Sequence, residues 1–296
     1  GFFSKLFVFD GVNDHQLIGQ SKAEFLDKGI FSSIGRIYEF FTRAMDLRPN
    51  SDEGKVEALA AYGEADKDLL IQLKSATKID DNNLSINFDT TKIKPFYDIE
   101  WLKEQRSKVG DENFCASVQT FLEDTIVTYL NYAYEKYPIK NLCLSGGVAA
   151  NIIMSLNIYE RTEFKNIYVL PPMADDGLAI GSAILTAIDL GEDVSWLKNF
   201  EMPYFGDSYS RDEVKKVLDN FDVITYEDLA DDWPHEAARS VSMGKICSIF
   251  QGKMEFGPRA LGNRSIIASP MLEGTRKKIN STVKRRPSYQ PFCPSI

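Results

Sequence analysis

The sequence predicts an α/β fold, and three observations carry the prediction. Between positions 141 and 189 two short apolar runs, NLCLSGG and NIYVLPP, each lead through a Gly or Pro turn into a helix-period stretch, a βαβα order. Long helix-period segments precede that region, at 34–48 and 113–135. Beyond Gly191 the alternation restarts as helix, strand, helix, strand between 211 and 250. Such units make mainly parallel sheets, whose ligands sit at the carboxyl ends of the strands beside helix amino termini.

The first strand is read at 6–9. Residues 34–48, IGRIYEFFTRAMDLR, place apolar side chains on one helical face, and 56–62 continues as a short helix behind the polar PNSDEGK. From 75 to 94 the text is polar with a short apolar alternation, LSINF, the pattern of a surface hairpin. Residues 113–135 give a long amphipathic helix, and Pro138 separates it from a strand at 141–145. A helix from 149, a strand at 166–170 and a helix at 177–189 complete the βαβα region. Residues 200–210 are rich in Pro, Gly, Ser and aromatics, which puts a boundary near 198 and expected domains at 1–198 and 199–296. Helices at 211–220 and 234–243, a strand between them and a strand at 245–250 fill the second.

With 296 residues and 44% hydrophobic content the chain can bury one large or two moderate cores. A formal net charge of -9 argues against broad nucleic-acid binding, which needs many cations on phosphates. Cys115, Cys143, Cys247 and Cys293 are too widely spaced for a C-x-x-C motif or a dense disulfide framework, so they read as reduced thiols. No apolar run approaches membrane-spanning length and the opening GFFSKLFVFDG lacks a signal-peptide pattern, so the expected location is cytoplasmic, with no membrane partner. Both ends read as cut, as in an internal fragment.

Gly146 and Gly147 end a strand ahead of Val148-Ala149-Ala150-Asn151, where a nucleotide phosphate can approach the backbone without meeting a Cβ; a plain chain-reversal turn would use the same glycines. Asn151, one turn into the expected helix, can face the same ligand. In PPMADDGLAIGSA, Asp175 and Asp176 precede a helix, where one serves as an N-cap or, if a phosphate binds there, as a ligand to an intervening divalent cation. Asp10, at the end of the first strand, supplies another oxygen. His15 and His235 are the only histidines, so a histidine-based metal site cannot be built.

The stretch SIFQGKMEFGPRALGNRSIIASP concentrates Glu255, Gly257, Arg259, Asn263 and Arg264 behind a strand. Guanidinium forks suit phosphate or carboxylate, and Gly257 and Gly262 admit a ligand closely. An arginine pair bridging surface acids is the alternative. Further cations follow at Arg276, Lys277, Lys278, Lys284, Arg285 and Arg286, the last three directly before PSYQPFCPS.

Together DG at 10–11, SSIGRIYEFFT, DEGKVEALAAYG, LSGGVAAN, PPMADDGLAIGSA, QGKMEFGPRALGNRS and YQPFCPS resemble the O-carbamoyltransferase family that includes nodulation-factor and antibiotic-tailoring enzymes. The resemblance implies an actin-like ATPase (ribonuclease-H-like) domain followed by part of a threonylcarbamoyl-AMP-synthase-like domain. It implies formation of carbamoyl adenylate from carbamoyl phosphate and ATP, and transfer of the carbamoyl group to a small-molecule hydroxyl acceptor beside a divalent metal, commonly iron, with Mg accompanying ATP. Carried over by motif, Gly146, Gly147 and Asn151 hold the adenylate and acceptor; Glu53 and Lys55 lie near the nucleotide; Asp10 and Asp175 bind metal. Arg259 meets the phosphates with Lys284 assisting, and Asn263, Arg264 and Ser265 join the adenylate site.

The sequence departs from the family pattern in three places. An H-x-x-x-H segment expected upstream of the DG loop is absent, the loop reads DGVND, and Gln290-Pro291-Phe292 stands where Arg-Pro-Phe is usual. The chain alone is therefore expected to be inactive or impaired. An actin-like kinase or ATPase, and a truncated nucleotide-binding module, are the competing readings.

Overall fold

The structure, a computed structural model, describes residues 2–11, 14–27, 30–199 and 203–292. Val12 and Asn13 of DGVND, Cys293 and the end of PSYQPFCPS lie outside the described residues. The chain divides into two compact units, 1–170 and 171–296, and the boundary expected near 198 lies inside the second. The architecture is mixed α/β, as the sequence predicts.

The first unit opens with an antiparallel hairpin, β1 (Phe2–Phe9) and β2 (His15–Lys22), and a shorter one, β3 (Phe25–Asp27) and β4 (Ile30–Phe31). Helix α1 (Ile34–Ala44) starts at Ser33, whose hydroxyl accepts from Arg36 N at 3.1 Å. It stops where Asp46 turns into the left-handed region at φ 58°. Helices α2 (Glu53–Ala60) and α3 (Lys67–Ser75) lead to an antiparallel pair, β5 (Thr77–Asp80) and β6 (Ser85–Phe88). The short α4 (Thr90–Ile93), then α5 (Ile99–Val109) and α6 (Asp111–Lys136) follow.

Helix α6 is the axis of the core. Its Phe114, Val118, Phe121, Leu122 and Leu130 are all buried, and α1, α2, α3 and α5 pack around it. Phe41 of α1 stacks on Phe114 with ring centroids 4.4 Å apart and on Phe96 at 6.4 Å. Burial of each such ring contributes about 1.5–3 kcal/mol. Burial also pushes the Cys115 thiol up to about 12, so it stays protonated inside this core; Cys115, Cys143 and Cys247 are free thiols.

One expectation needs correction here. The 75–94 hairpin is not a surface feature: Leu84, Ser85, Ile86 and Phe88 are buried, and Ile86 N donates to the buried Ser21 hydroxyl of β2 at 2.9 Å. Between Tyr62 and that hairpin the chain forms α3, and α5 forms from a charged stretch that buries only Leu102 completely.

After α6 comes β7 (Asn141–Leu144), a single 3-10 turn (Gly147–Ala150), α7 (Ile152–Arg161) and β8 (Asn166–Val169). β7 and β8 pair in parallel, Leu142 opposite Ile167, as the βαβ reading requires. Among the described residues the sheets do not extend beyond two strands. The helix expected from 149 begins at Ile152, because Asn151 has extended backbone and acts as the cap.

The second unit carries α8 (Leu178–Asp189), α9 (Arg211–Leu218) and α10 (Trp233–Ser242), then an antiparallel hairpin of β9 (Cys247–Phe250) and β10 (Arg264–Ile267). The short α11 (Thr275–Lys278) continues into a π-type turn at Ile279–Lys284. Helix α9 has a full capping box between Ser210 and Glu213. The strand expected between α9 and α10 does not form: no described strand lies beside DVITY to complete its hydrogen bonds, and Val223 is 93% exposed. Among the described residues no helix is long and apolar enough to cross a membrane.

Gly63 marks the tightest approach in the first unit. A Cβ there would lie 2.6 Å from Asn113 N and closer still to the Glu112 carbonyl, so the turn after α2 sits directly on the start of α6. Gly63→Ala is expected to destabilise the protein by about 1–3 kcal/mol, read as a lower urea midpoint by circular dichroism.

Candidate functional site

The sequence-predicted residues fall into two groups, one in each unit. In the first, Gly146 adopts φ +102°, a conformation glycine supplies without strain, and a Cβ on Gly146 or Gly147 would meet nothing within 4 Å. The glycine turn is thus needed for its backbone path, and open space stands over it. Val148 in the same turn reaches α1, where a Cβ on Gly35 would come within 3.3 Å of its side chain.

The amino terminus of α7 is already supplied with acceptors. Glu57 Oε1 of α2 accepts from Ile152 N at 2.8 Å and from Ile153 N at 3.0 Å, while Asn151 Oδ1 accepts from Met154 N at 2.8 Å. A carboxylate is the ion that a helix amino terminus favours. The positive end that the sequence offers to a phosphate is therefore held by the protein's own anion.

Asn151 is 9% exposed and locked in a paired carboxamide contact with Gln119 of α6. Its Nδ2 donates to Gln119 Oε1 at 2.8 Å, and Gln119 Nε2 donates to Asn151 Oδ1 at 3.0 Å. Tyr38 donates to the same Gln119 oxygen at 2.8 Å, and Gln119 donates to Glu123 at 2.7 Å. Burial, and next the charge of Glu57, hold the Tyr38 hydroxyl well above its usual range, so it remains a donor. Burial likewise raises the Glu123 carboxyl. Gln119 and Glu57 have no motif of their own; Glu57 stands one turn after Glu53 in DEGKVEALAAYG, the one signal that places it on the same helical face.

Glu53 and Lys55 serve the start of α2. Glu53 accepts from Asn50 N at 2.6 Å, and Lys55 pairs with the buried Asp52 at 2.8 Å. Burial raises the Asp52 carboxyl, but Lys55 and the Arg48 N–H outweigh that and hold it below the usual range. Asp10 is exposed at the end of β1, where its N–H closes a turn onto Asp14 O at 2.8 Å.

In the second unit Asp175 and Asp176 are exposed on a 3-10 turn (Asp175–Gly177). Neither caps α8, which begins after Gly177 with no side-chain cap. Among the described residues no group of three or more His, Cys, Asp or Glu gathers to hold a metal ion.

The arginine motif is the long loop of the β9–β10 hairpin, and the PPMADDG loop lies against it. Gly257 has φ +126°, and a Cβ there would sit 3.0 Å from the Pro171 carbonyl, so only glycine allows this apposition. Inside the loop, Glu255 Oε1 accepts from Leu261 N at 2.9 Å, Asn263 N at 2.6 Å and Arg264 N at 3.1 Å. Arg264 grips the opposite polarity: its guanidinium donates to Gln251 O at 2.6 Å and Asn263 O at 3.0 Å, and lies 3.6 Å from the ring centroid of Phe250, its cross-strand partner. Asn263 Nδ2 donates to Lys253 O at 2.7 Å, and Ser265 Oγ accepts from Gly262 N at 2.9 Å. Arg259 is exposed in the arc these bonds enclose.

Lys284 is exposed at the end of the π-type turn. Beyond it the buried Asn280 donates to Ser288 O at 3.2 Å and Gln290 O at 2.8 Å, and its Oδ1 receives Arg286 Nε at 2.7 Å. Arg286 stacks 4.6 Å from the Phe292 ring centroid.

Residues 5–184 match the family profile described as Carbamoyltransferase N-terminus, and residues 238–296 the one described as Carbamoyltransferase C-terminus. An uncharacterised protein of Methanocaldococcus jannaschii is 49% identical over 100% of this chain and 52% of its own length. Nodulation protein NolNO of Sinorhizobium fredii is 32% identical over 83% of the chain and 36% of its own length. The 3'-hydroxymethylcephem-O-carbamoyltransferase of Streptomyces clavuligerus is 28% identical over 82% of the chain and 44% of its own length. The chain spans about half the length, or less, of the curated relatives it matches.

Two outcomes are expected of this geometry. Asn151→Ala strands the buried Gln119 amide and should cost about 1–3 kcal/mol, measured by denaturant unfolding. Burial raises the Glu255 carboxyl, but the N–H groups of Glu255 itself, Leu261, Asn263 and Arg264 outweigh it and hold the group below its ordinary value of 4.5. Its contribution to loop order is therefore complete above that ordinary value and lost as pH falls through the lower folded one. Amide shifts of Leu261, Asn263 and Arg264, followed in an acid titration, should move together below pH 4.5.

Proposed function

The chain belongs to the carbamoyltransferase family, and on that premise we propose that the protein is an ATP-dependent O-carbamoyltransferase. In this reading carbamoyl phosphate, water and ATP give carbamoyl adenylate, phosphate and pyrophosphate, and the hydroxyl of a small molecule then takes the carbamoyl group and releases AMP. The observation that carries the reading is the loop of the β9–β10 hairpin, which holds Arg259 exposed on a fixed arc beside the PPMADDG loop. A planar, permanently charged fork on a preorganised backbone suits an acyl phosphate whose charge grows as the phosphate leaves. The exposed Lys284 supplies a second cation in this reading.

In the first unit, the space over Gly146 and Gly147 suits the flat approach of a nucleotide to backbone. The parallel β7–β8 pair with its crossover helix fits an actin-like domain, and the hairpin unit fits a threonylcarbamoyl-AMP-synthase-like one. Asn151 acts in this scheme from behind the turn, holding its shape through Gln119, since its own polar atoms are spent there.

The relative named as a 3'-hydroxymethylcephem-O-carbamoyltransferase supports an acceptor with an accessible hydroxyl. Given ATP, carbamoyl phosphate and labelled pyrophosphate, the full-length protein is expected to exchange label into ATP only when carbamoyl phosphate is present. Arg259→Ala should lower that exchange about 10- to 100-fold, the loss of one charge-assisted contact. Absence of exchange with any divalent metal would remove the adenylation step, and nucleotide turnover unaffected by Arg259→Ala would favour a kinase or ATPase instead.

A further inference from the structure

We infer that Glu255 is the positioning residue of the arc that presents Arg259, an assignment that rests on Arg259 meeting the phosphate of the carbamoyl donor. Three backbone N–H groups converging on one oxygen form a concavity of the kind that binds external anions. Here the concavity is filled from within: Glu255 Oε1 takes the N–H groups of Leu261, Asn263 and Arg264 at 2.6–3.1 Å. The bond to Leu261 closes the segment 255–261 on itself, and Arg259 is inside that closure.

Both ends of the arc are also fastened from outside. Phe256 N donates to Pro203 O at 2.8 Å, and Gly206 N donates to Met254 O at 3.0 Å, beside the start. Tyr204 donates to Leu261 O at 3.1 Å at the end, while Gly257 backs onto Pro171. What remains to project is Pro258, Arg259 and Ala260, all exposed.

The arrangement also says what Glu255 does not do. Glu255 Oε1 is committed to three N–H bonds, the arrangement of a group that acts through Arg259 rather than on the reacting atoms. Nor can the N–H groups of residues 261, 263 and 264 receive a substrate phosphate while the carboxylate stays. Arg264 makes no ion pair with Glu255 or with any other acid among the described residues. The two charges divide the loop instead, the anion ordering its N–H groups and the cation its carbonyls.

The test is a pair of substitutions read in two ways. E255Q keeps the size and one acceptor but removes the charge; hydrogen exchange at the Leu261, Asn263 and Arg264 amides is expected to quicken about tenfold or more. In carbamoyl-phosphate-dependent pyrophosphate exchange, the same change should raise the KM for carbamoyl phosphate about tenfold in the parent background. On top of Arg259→Ala it should add less than about twofold, because both lesions remove one interaction. Should E255Q not fold, E255D, which keeps the charge one methylene short, carries the same expectations. Unchanged amide protection, or an equal fold-loss in both backgrounds, would overturn the assignment. If the unsubstituted protein shows no carbamoyl-phosphate-dependent exchange, the transferase reading fails, and the amide protection alone decides whether Glu255 orders the arc.

Discussion

A backbone N–H turned away from solvent must find an acceptor, and this protein meets the demand at its two most motif-rich loops with carboxylates of its own. Glu57 takes the first N–H groups of α7, and Glu255 takes three N–H groups in the β9–β10 loop. Each bond fixes a turn that would otherwise be a string of small residues with many conformations. The glycines let the chain bend there, and the carboxylates choose one bend.

That choice shapes what chemistry is left available. With the first N–H groups of α7 and those of Leu261, Asn263 and Arg264 already occupied, those donors are not open to an incoming phosphate. What each unit leaves open is, in the second, the exposed Arg259 and, in the first, the space over Gly146 and Gly147. The first unit supports its turn from a large core: α6 brings Gln119 to Asn151, and the stacked Phe41 and Phe114 hold α1 against the same helix. The second unit has no buried residue in α8, α9 or α10, and its hairpin loop is held by hydrogen bonds from Glu255 and Arg264.

Much of this was legible in the sequence, for local reasons. The period of α6, the apolar run of β7 and the Gly-Gly turn are properties of a few adjacent residues, and they fold as read. The strand expected at DVITY is absent because a strand is defined by a neighbour, and none of the described strands is beside it. The 75–94 hairpin alternates polar and apolar residues as a surface hairpin does; that it packs on β2 through Ser21 and Ile86 depends on residues over sixty positions away. Helix α5 was obscured because WLKEQRSK is mostly charged and needs only Leu102 as an anchor. The family, by contrast, was carried by motif text alone, and the matches over 5–184 and 238–296 agree with it.

The site divides in the same way. From sequence come the residue types: two glycines ahead of an Asn, two aspartates ahead of a helix, two arginines in a loop of small residues. Only the tertiary structure decides what each does. Asn151 turns toward Gln119 because α6 passes behind it, and Arg264 turns inward because Phe250 pairs with it across the hairpin. Arg259 stays exposed because Glu255 closes the arc beneath it. A side chain's chemistry is written in its covalent structure, whereas the partner it spends that chemistry on is set by which backbone groups the fold brings within about 3 Å.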